Sequence, residues 1–279
     1  MPSKEEIRIG HSPDSDDAFM FYALAKGIIP TGNFNFIHVI EDIESLNKRA
    51  INGELEVTAI SVHAYAYVAD KYALLPCGAS IGDGYGPIIV AAAPMQPEEL
   101  QGKTIAIPGT MTTAYLTCRL FLPDFAYTIV PFNQILASVV QNQVDAGLII
   151  HEGQVTYSDV GLHKVSDLGK WWHDQTGLPL PLGANAIRKD LGVDKMRQIS
   201  DLLKGSIQYA LEHRAEALDY AMTYARGIKE NLADRFVGMY VNDYTLDYGE
   251  KGRVGVRRLL EWGYQAGVIR NAVEVEFVD

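Results

Sequence analysis

The chain has 279 residues, 48% of them hydrophobic and 21% charged, a balance with ample apolar material for a globular core. That length exceeds the usual size of one core and predicts two domains. With a formal net charge of −11, and with Arg257-Arg258 and Lys251/Arg253 standing apart, neither nucleic acid nor an anionic membrane is an expected partner.

The first residues, Met1-Pro2-Ser3-Lys4-Glu5-Glu6, carry no apolar stretch of the export-signal kind. No apolar run reaches transmembrane length, so a soluble, cytoplasmic protein is expected. Ile7-Arg8-Ile9-Gly10-His11 reads as the first strand. The N-cap-rich stretch 12–17 then opens a helix over 18–25 that Gly27 ends. Residues 34–39 alternate as a strand, and Ile43, Leu46, Ala50 and Ile51 form a helical stripe that stops at Asn52-Gly53. A short strand at 55–60 leads to Ser61, which begins a helix through Ala66 and Val68. Leu74-Leu75 and 87–93 supply two more strands, joined by Gly82-Asp83-Gly84-Tyr85-Gly86. A strand and not a helix follows those glycines, so they read as a flexible turn and not as a phosphate loop.

The alternation then restarts. Thr104-Ile105-Ala106-Ile107 is a strand, Thr110-Met111-Thr112-Thr113 caps a helix, and Tyr127-Thr128-Ile129-Val130 is a strand. A helix at 135–140 precedes Ala146-Gly147-Leu148-Ile149-Ile150, which reads as a strand buried on both faces. Beyond Gly183 the pattern is helical, over roughly 195–211, 215–225, 233–241 and 253–265. The segment 52–61 echoes 141–151: each has a helix end, an acidic residue, a short apolar strand and a polar residue at its carboxyl end. Two similar α/β lobes facing a shared cleft would produce this echo, as would chance similarity of short βα segments.

Several residues carry candidate chemistry. His151 falls at the carboxyl end of a buried strand, where open α/β sheets bind ligands, and imidazole accepts a proton near neutral pH. It reads as a general base or, alternatively, as a satisfied structural histidine; His11 occupies the same kind of position. Thr112 and Thr113 begin a helix whose amides suit a carboxylate or phosphate, although simple capping also explains them. Ser61 has the same two readings. Asp14, Asp16 and Asp17 are explained by capping and the helix dipole better than by a metal. Trp171-Trp172-His173 reads as a set of partly buried anchors or as pocket lining. Cys77 and Cys118 lack zinc-site spacing, and reduced buried thiols are favoured over a disulfide.

Five segments, in order along essentially the whole chain, resemble the 1,4-dihydroxy-6-naphthoate synthase family of the futalosine route to menaquinone. They are Ser12-Pro13 through Asp17-Ala18-Phe19, Glu41-Asp42-Ile43-Glu44-Ser45-Leu46-Asn47, Pro108-Gly109-Thr110-Met111-Thr112-Thr113-Ala114-Tyr115, the stretch 147–152, and Thr176-Gly177-Leu178-Pro179-Leu180-Pro181-Leu182-Gly183. The resemblance implies an α/β clamshell of the periplasmic-binding-protein type II kind. Each lobe is a mixed sheet flanked by helices, with 1–92 plus 184–279 in lobe one, 93–183 in lobe two, and two crossovers as hinge. It further implies a cytoplasmic lyase, with neither metal nor organic cofactor, that converts the small molecule cyclic dehypoxanthinyl futalosine to 1,4-dihydroxy-6-naphthoate. His151 corresponds to the family's proton acceptor, Thr112 and Thr113 to one substrate-contacting segment, and Ala59, Ile60 and Ser61 to the other on the opposite lobe. One stretch departs: the family usually has Cys-Pro-Asn-Asp-Thr where this chain has Asp14-Ser15-Asp16-Asp17-Ala18. The two extra carboxylates disfavour an anionic ligand there unless they turn away as caps. Three rivals stand against this reading. A solute-binding protein of the same fold would carry an export signal; chorismate dehydratase would show Tyr-Asn after the first strand; a ligand-sensing domain would come with a partner segment.

Overall fold

The computed structural model describes residues 4–224 and 229–279. Met1, Pro2, Ser3 and Ala225, the expected end of one helix, lie outside the described residues. In chain order the first part comprises β1 (Glu5–His11), α1 (Ser15–Ala25), β2 (Phe34–Ile40), α2 (Ile43–Ile51), β3 (Val57–Ser61), α3 (Val62–Tyr65), β4 (Tyr72–Leu74) and β5 (Ser80–Gly82). The middle comprises β6 (Ile88–Ala91), β7 (Thr104–Ile107), α4 (Thr113–Phe121), β8 (Ala126–Ile129), α5 (Ile135–Val140), β9 (Ala146–Ile149), α6 (Gly153–Thr156), β10 (His163–Asp167) and α7 (Leu168–Thr176). The chain finishes with β11 (Leu180–Arg188), α8 (Val193–Glu212), α9 (Arg214–Met222), α10 (Glu230–Tyr240), α11 (Asp243–Leu246) and α12 (Gly249–Gln265).

Two mixed sheets result. The first runs β2-β1-β3-β11-β4, with β5 also on β11, and the second runs β10-β6-β9-β7-β8. Read from the other end, the second repeats the pairing logic of the first. β3 lies parallel to β1 and antiparallel to β11, while β9 lies parallel to β7 and antiparallel to β6. The echo between 52–61 and 141–151 therefore falls on equivalent central strands. Both are buried along their whole length, which explains their unbroken apolar runs. In the second sheet the alternation splits cleanly. Ile89, Ile105 and Leu148 face one core, while Ile88, Val90 and Ile149 face Ile135 and Val139 on the other side.

The chain crosses between sheets twice, from Gly82 to Ile88 and from Asp167 to Leu180. Both changes come a few residues before the lobe limits expected at 92 and 183, because β6 belongs to the second sheet and β11 starts the return to the first. The glycine-rich turn is the first crossover, and it packs against the second. A Cβ on Gly169 would lie 2.0 Å from the carbonyl carbon and oxygen of Tyr85. Across the lobes, Leu116 and Leu120 of α4 share one buried cluster with Ile60, Val62 and Trp172. Trp172 is an anchor, its Nε1 donating to Pro179 O at 3.1 Å.

Three strands escape the sequence pattern. β5 has only three residues, and β10 (HKVSD) is a polar edge with no apolar run. β11 contains Pro181 and Gly183, and its register against β5 slips between them, which lets a proline sit in a paired strand. α3 is a single turn, shorter than the helix expected through Val68. Cys77 and Cys118 are buried and unlinked, and burial pushes both thiols up to about 12. Among the described residues, no helix is long and apolar enough to cross a membrane.

Candidate active site

The carboxyl ends of β1 and β3 face those of β7 and β9 across a cleft between the sheets. Its walls include Ser12, Ala59, Ile60, Ser61, Thr112 and Thr113. All five substrate-contacting residues expected from the sequence thus converge on one cavity. The cavity encloses about 100 Å³, well below the roughly 300–1,000 Å³ of ordinary small-molecule sites. The two lobes are closed on each other, and a bulky ligand has to part them.

Direct bonds hold that closure. On one side Thr113 Oγ1 donates to Leu182 O (2.6 Å) and accepts from His63 N (3.1 Å). His63 Nδ1 lies 3.3 Å from Thr112 O, and its Nε2 is engaged by Tyr67 OH at 3.2 Å. Glu44, from the Glu41–Asn47 motif, accepts from Met111 N at 3.3 Å, and a Cβ on Gly109 would strike its carboxyl at 2.2 Å. At the other side Glu152 Oε1 accepts from Ser15 N (3.2 Å) and Ser15 Oγ (3.0 Å), while Tyr240 OH donates to Gln154 Oε1 at 2.7 Å.

The polar groups of the cleft are prepared differently. Thr112 is the N-cap of α4, accepting from Tyr115 N and donating to Gly109 O. Both threonine hydroxyls are thus engaged, and the helix start offers its amides to an anion. Ser61 is fixed by Asn47, whose Oδ1 accepts from Ser61 N (2.8 Å) and whose Nδ2 donates to Ser61 Oγ (3.0 Å). The hydroxyl proton of Ser61 is left to donate elsewhere.

His151 stands just beyond β9, buried, but its neighbour Ile150 and not the ring itself forms the cleft wall. Nδ1 accepts from Gly153 N at 2.9 Å, so Nε2 carries the proton and donates to Phe132 O at 3.0 Å. In this closed arrangement the imidazole is held by backbone on both nitrogens. A Cβ on Gly153 would lie 2.8 Å from His151 Cε1, so the glycine makes room for the ring. His11 is also off the cleft: it stacks on Phe21, bonds Ser12 O and His38, and is held down to about 4 by burial and His38.

The acidic stretch differs most from its local reading. Asp14, at the N-cap of α1, makes no side-chain capping bond, and Asp14, Asp16 and Asp17 all line the cleft. Asp17 Oδ2 accepts from Ser12 N at 2.6 Å, and burial nevertheless lifts its carboxyl to about 6. Asp16 accepts a 3.3 Å bond from Ser80 Oγ and a backbone bond from Asp17. Burial, with Asp17, Asp14 and Glu152 adding like charge, raises it well above the carboxylate range. Among the described residues no lysine or arginine lines the cleft, and no group of three or more His, Cys, Asp or Glu is arranged to hold a metal. Ser80, Glu152 and Tyr240 were not singled out by sequence. Only Glu152 carried a signal there, as the neighbour of His151.

These two lobes with a ligand cleft between them have counterparts among solved structures. The alkanesulfonate-binding protein SsuA from Xanthomonas axonopodis aligns over 99% of this chain and 98% of its own, at TM-score 0.73 and 13% identity. A Candida albicans protein described as having the generic periplasmic binding protein fold aligns over 98% and 92%, at TM-score 0.71 and 14% identity. The chain therefore has the periplasmic-binding-protein fold. A family profile described as menaquinone biosynthesis matches residues 7–265, and the chain belongs to that family. It is 43% identical over 255 residues to the 1,4-dihydroxy-6-naphthoate synthase of Thermus thermophilus, covering 91% of this chain and 93% of that one. The synthase of the same name from Streptomyces coelicolor is 37% identical over 273 residues, 96% of each chain. A crystal structure of an Archaeoglobus fulgidus protein, 50% identical, superposes at TM-score 0.91 over 95% of this chain and 98% of that one.

Proposed function

We propose that this protein is a cytoplasmic lyase of menaquinone biosynthesis that converts cyclic dehypoxanthinyl futalosine to 1,4-dihydroxy-6-naphthoate. The observation that carries the reading is the convergence of Ala59, Ile60, Ser61, Thr112 and Thr113 on one interlobe cleft, in a chain of this family. The substrate carboxylate lies against the amides at the start of α4, with Ser61 donating its hydroxyl; neither needs a cation. Its oxygen-rich remainder lies toward Asp16 and Tyr240.

His151 is the proton acceptor in this reading. It reaches the substrate when the lobes part, because separating Glu152 from Ser15 moves the loop that holds the ring. The bond from Gly153 N is then exchanged for the substrate, which frees the Nδ1 lone pair to take the proton while Nε2–H stays on Phe132 O. General-base catalysis of this kind contributes about 10²–10⁴-fold. The lobes then close around the bound substrate and exclude water, with the His151 ring held on the substrate and not drawn back to Gly153 N.

The test is incubation of the purified protein with cyclic dehypoxanthinyl futalosine and mass spectrometry for the naphthoate. His151→Ala is expected to keep its melting transition and lose turnover by about 10²–10⁴-fold. No naphthoate from the wild type refutes the lyase reading. Near-normal turnover by His151→Ala refutes the base.

A further inference from the structure

Asp16 is the cleft acid whose ionised form has the least support. Its side chain is 8% exposed. Asp14 and Asp17 flank it on its own helix, Glu152 adds like charge from across the cleft, and Tyr240 approaches from α10. His11, at the end of β1, gives no positive charge, since burial keeps its ring neutral and bonded to Ser12 O. The nearby donors are already assigned. Ser12 N bonds Asp17, and Ser15 N and Oγ both bond Glu152. Ser80 Oγ reaches Asp16 Oδ2 at 3.3 Å, and the Asp17 backbone gives the carboxyl a further bond that burial and like charge outweigh.

A second, independent feature marks the same end of the cleft. Gln154, 7% exposed, accepts from Tyr240 OH through Oε1, while its Nε2 has no partner among the described residues. Gln154 stands behind Tyr240, and both Tyr240 and Asp16 line the cleft, so Asp16 is the group that a ligand oxygen meets there.

We infer that Asp16 meets the substrate as a neutral carboxylic acid and donates a hydrogen bond to a hydroxyl or carbonyl oxygen at this end of the cleft. It thereby determines specificity for the oxygenated part of the ligand, opposite the carboxylate subsite at α4. This rests on the lyase reading for the identity of the substrate. An ionised Asp16 can only accept a hydrogen bond and would repel an anionic substrate, so kcat/KM falls as pH rises through the Asp16 titration, up to about tenfold per pH unit.

The test compares wild type, Asp16→Asn and Asp16→Ala. Asp16→Ala is expected to raise KM and lower kcat/KM roughly tenfold near neutral pH. Asp16→Asn, a neutral donor of the same shape, recovers most of that loss and removes the alkaline limb. An infrared difference spectrum of wild type minus Asp16→Asn reads the same group without substrate, and a protonated-carboxyl C=O band at neutral pH is expected. A missing band overturns the inference, as does an alkaline limb unchanged in Asp16→Asn or an Asp16→Asn variant no better than Asp16→Ala. A present band with no naphthoate from the wild type strikes the lyase reading and not the protonation of Asp16.

Discussion

Replacing Asn47 by alanine isolates how the first lobe presents Ser61 to the cleft. Asn47 is fully buried and makes two bonds to one residue, accepting from Ser61 N at 2.8 Å and donating to Ser61 Oγ at 3.0 Å. Truncation leaves a buried amide without an acceptor and a hydroxyl oxygen without its donor, a loss of about 2–3 kcal/mol. At roughly 2–4 °C per kcal/mol, the melting midpoint should fall by about 5–10 °C in a calorimetric or circular-dichroism scan. Asn47→Asp separates stability from function. It keeps the acceptor for Ser61 N but asks the serine to donate its proton to residue 47 and not to the ligand. Its melting midpoint should fall less than that of Asn47→Ala, while kcat/KM falls as far or further. An Asn47→Ala protein that melts within about 1 °C of wild type, with unchanged kcat/KM, would show that this pair does not hold Ser61.

Two further outcomes test the hinge and the buried acids. Gly169→Ala places a Cβ 2.0 Å from backbone atoms of Tyr85, which cannot swing aside as a side chain can, so the crossovers must spread. A larger radius of gyration by small-angle scattering and a lower kcat/KM are expected; wild-type values for both would refute the tight-hinge account. The pH dependence of stability has two opposing parts. Burial holds His11 and His63 down to about 4, so protons enter the unfolded chain first and stability is lost as pH falls from about 6.5. Burial lifts Asp17 to about 6, so its ionisation penalises the folded state increasingly as pH rises from about 4, and the penalty is complete above about 6. Asp17→Asn removes the second part and should steepen the loss of stability on acidification between about pH 6.5 and 4, read by melts across that range. A parallel pair of curves would contradict the burial of Asp17.

Much of the architecture was legible because it follows from local periodicity. The all-apolar runs at β3 and β9 announce strands covered on both faces, and their echo anticipates two sheets with the same central pairing. The apolar stripe and the Asn52-Gly53 stop placed α2 nearly to the residue, and the capping stretch at 110–113 placed the start of α4, where Thr112 is the N-cap. The lobe limits expected at 92 and 183 fall a few residues past the sheet changes, since β6 pairs in the second sheet and β11 hides behind Pro181 and Gly183; β10, a polar edge, has no strand pattern at all. Neither edge polarity nor a register slip leaves an apolar pattern to read.

For the site, the sequence by itself determined which residues stand at strand ends and helix starts, because those positions depend on near neighbours in the chain. Ser61, Thr112 and Thr113 reach the cleft for that reason. What each group then does was decided by partners distant in sequence. His151 is tied to a carbonyl nineteen residues earlier, and Ser15 donates to a glutamate 137 positions away. Asp14, Asp16 and Asp17, which local rules assign to helix capping, become cleft walls once the second lobe closes over them. Burial and mutual repulsion, which set their charge, exist only in the assembled clamshell.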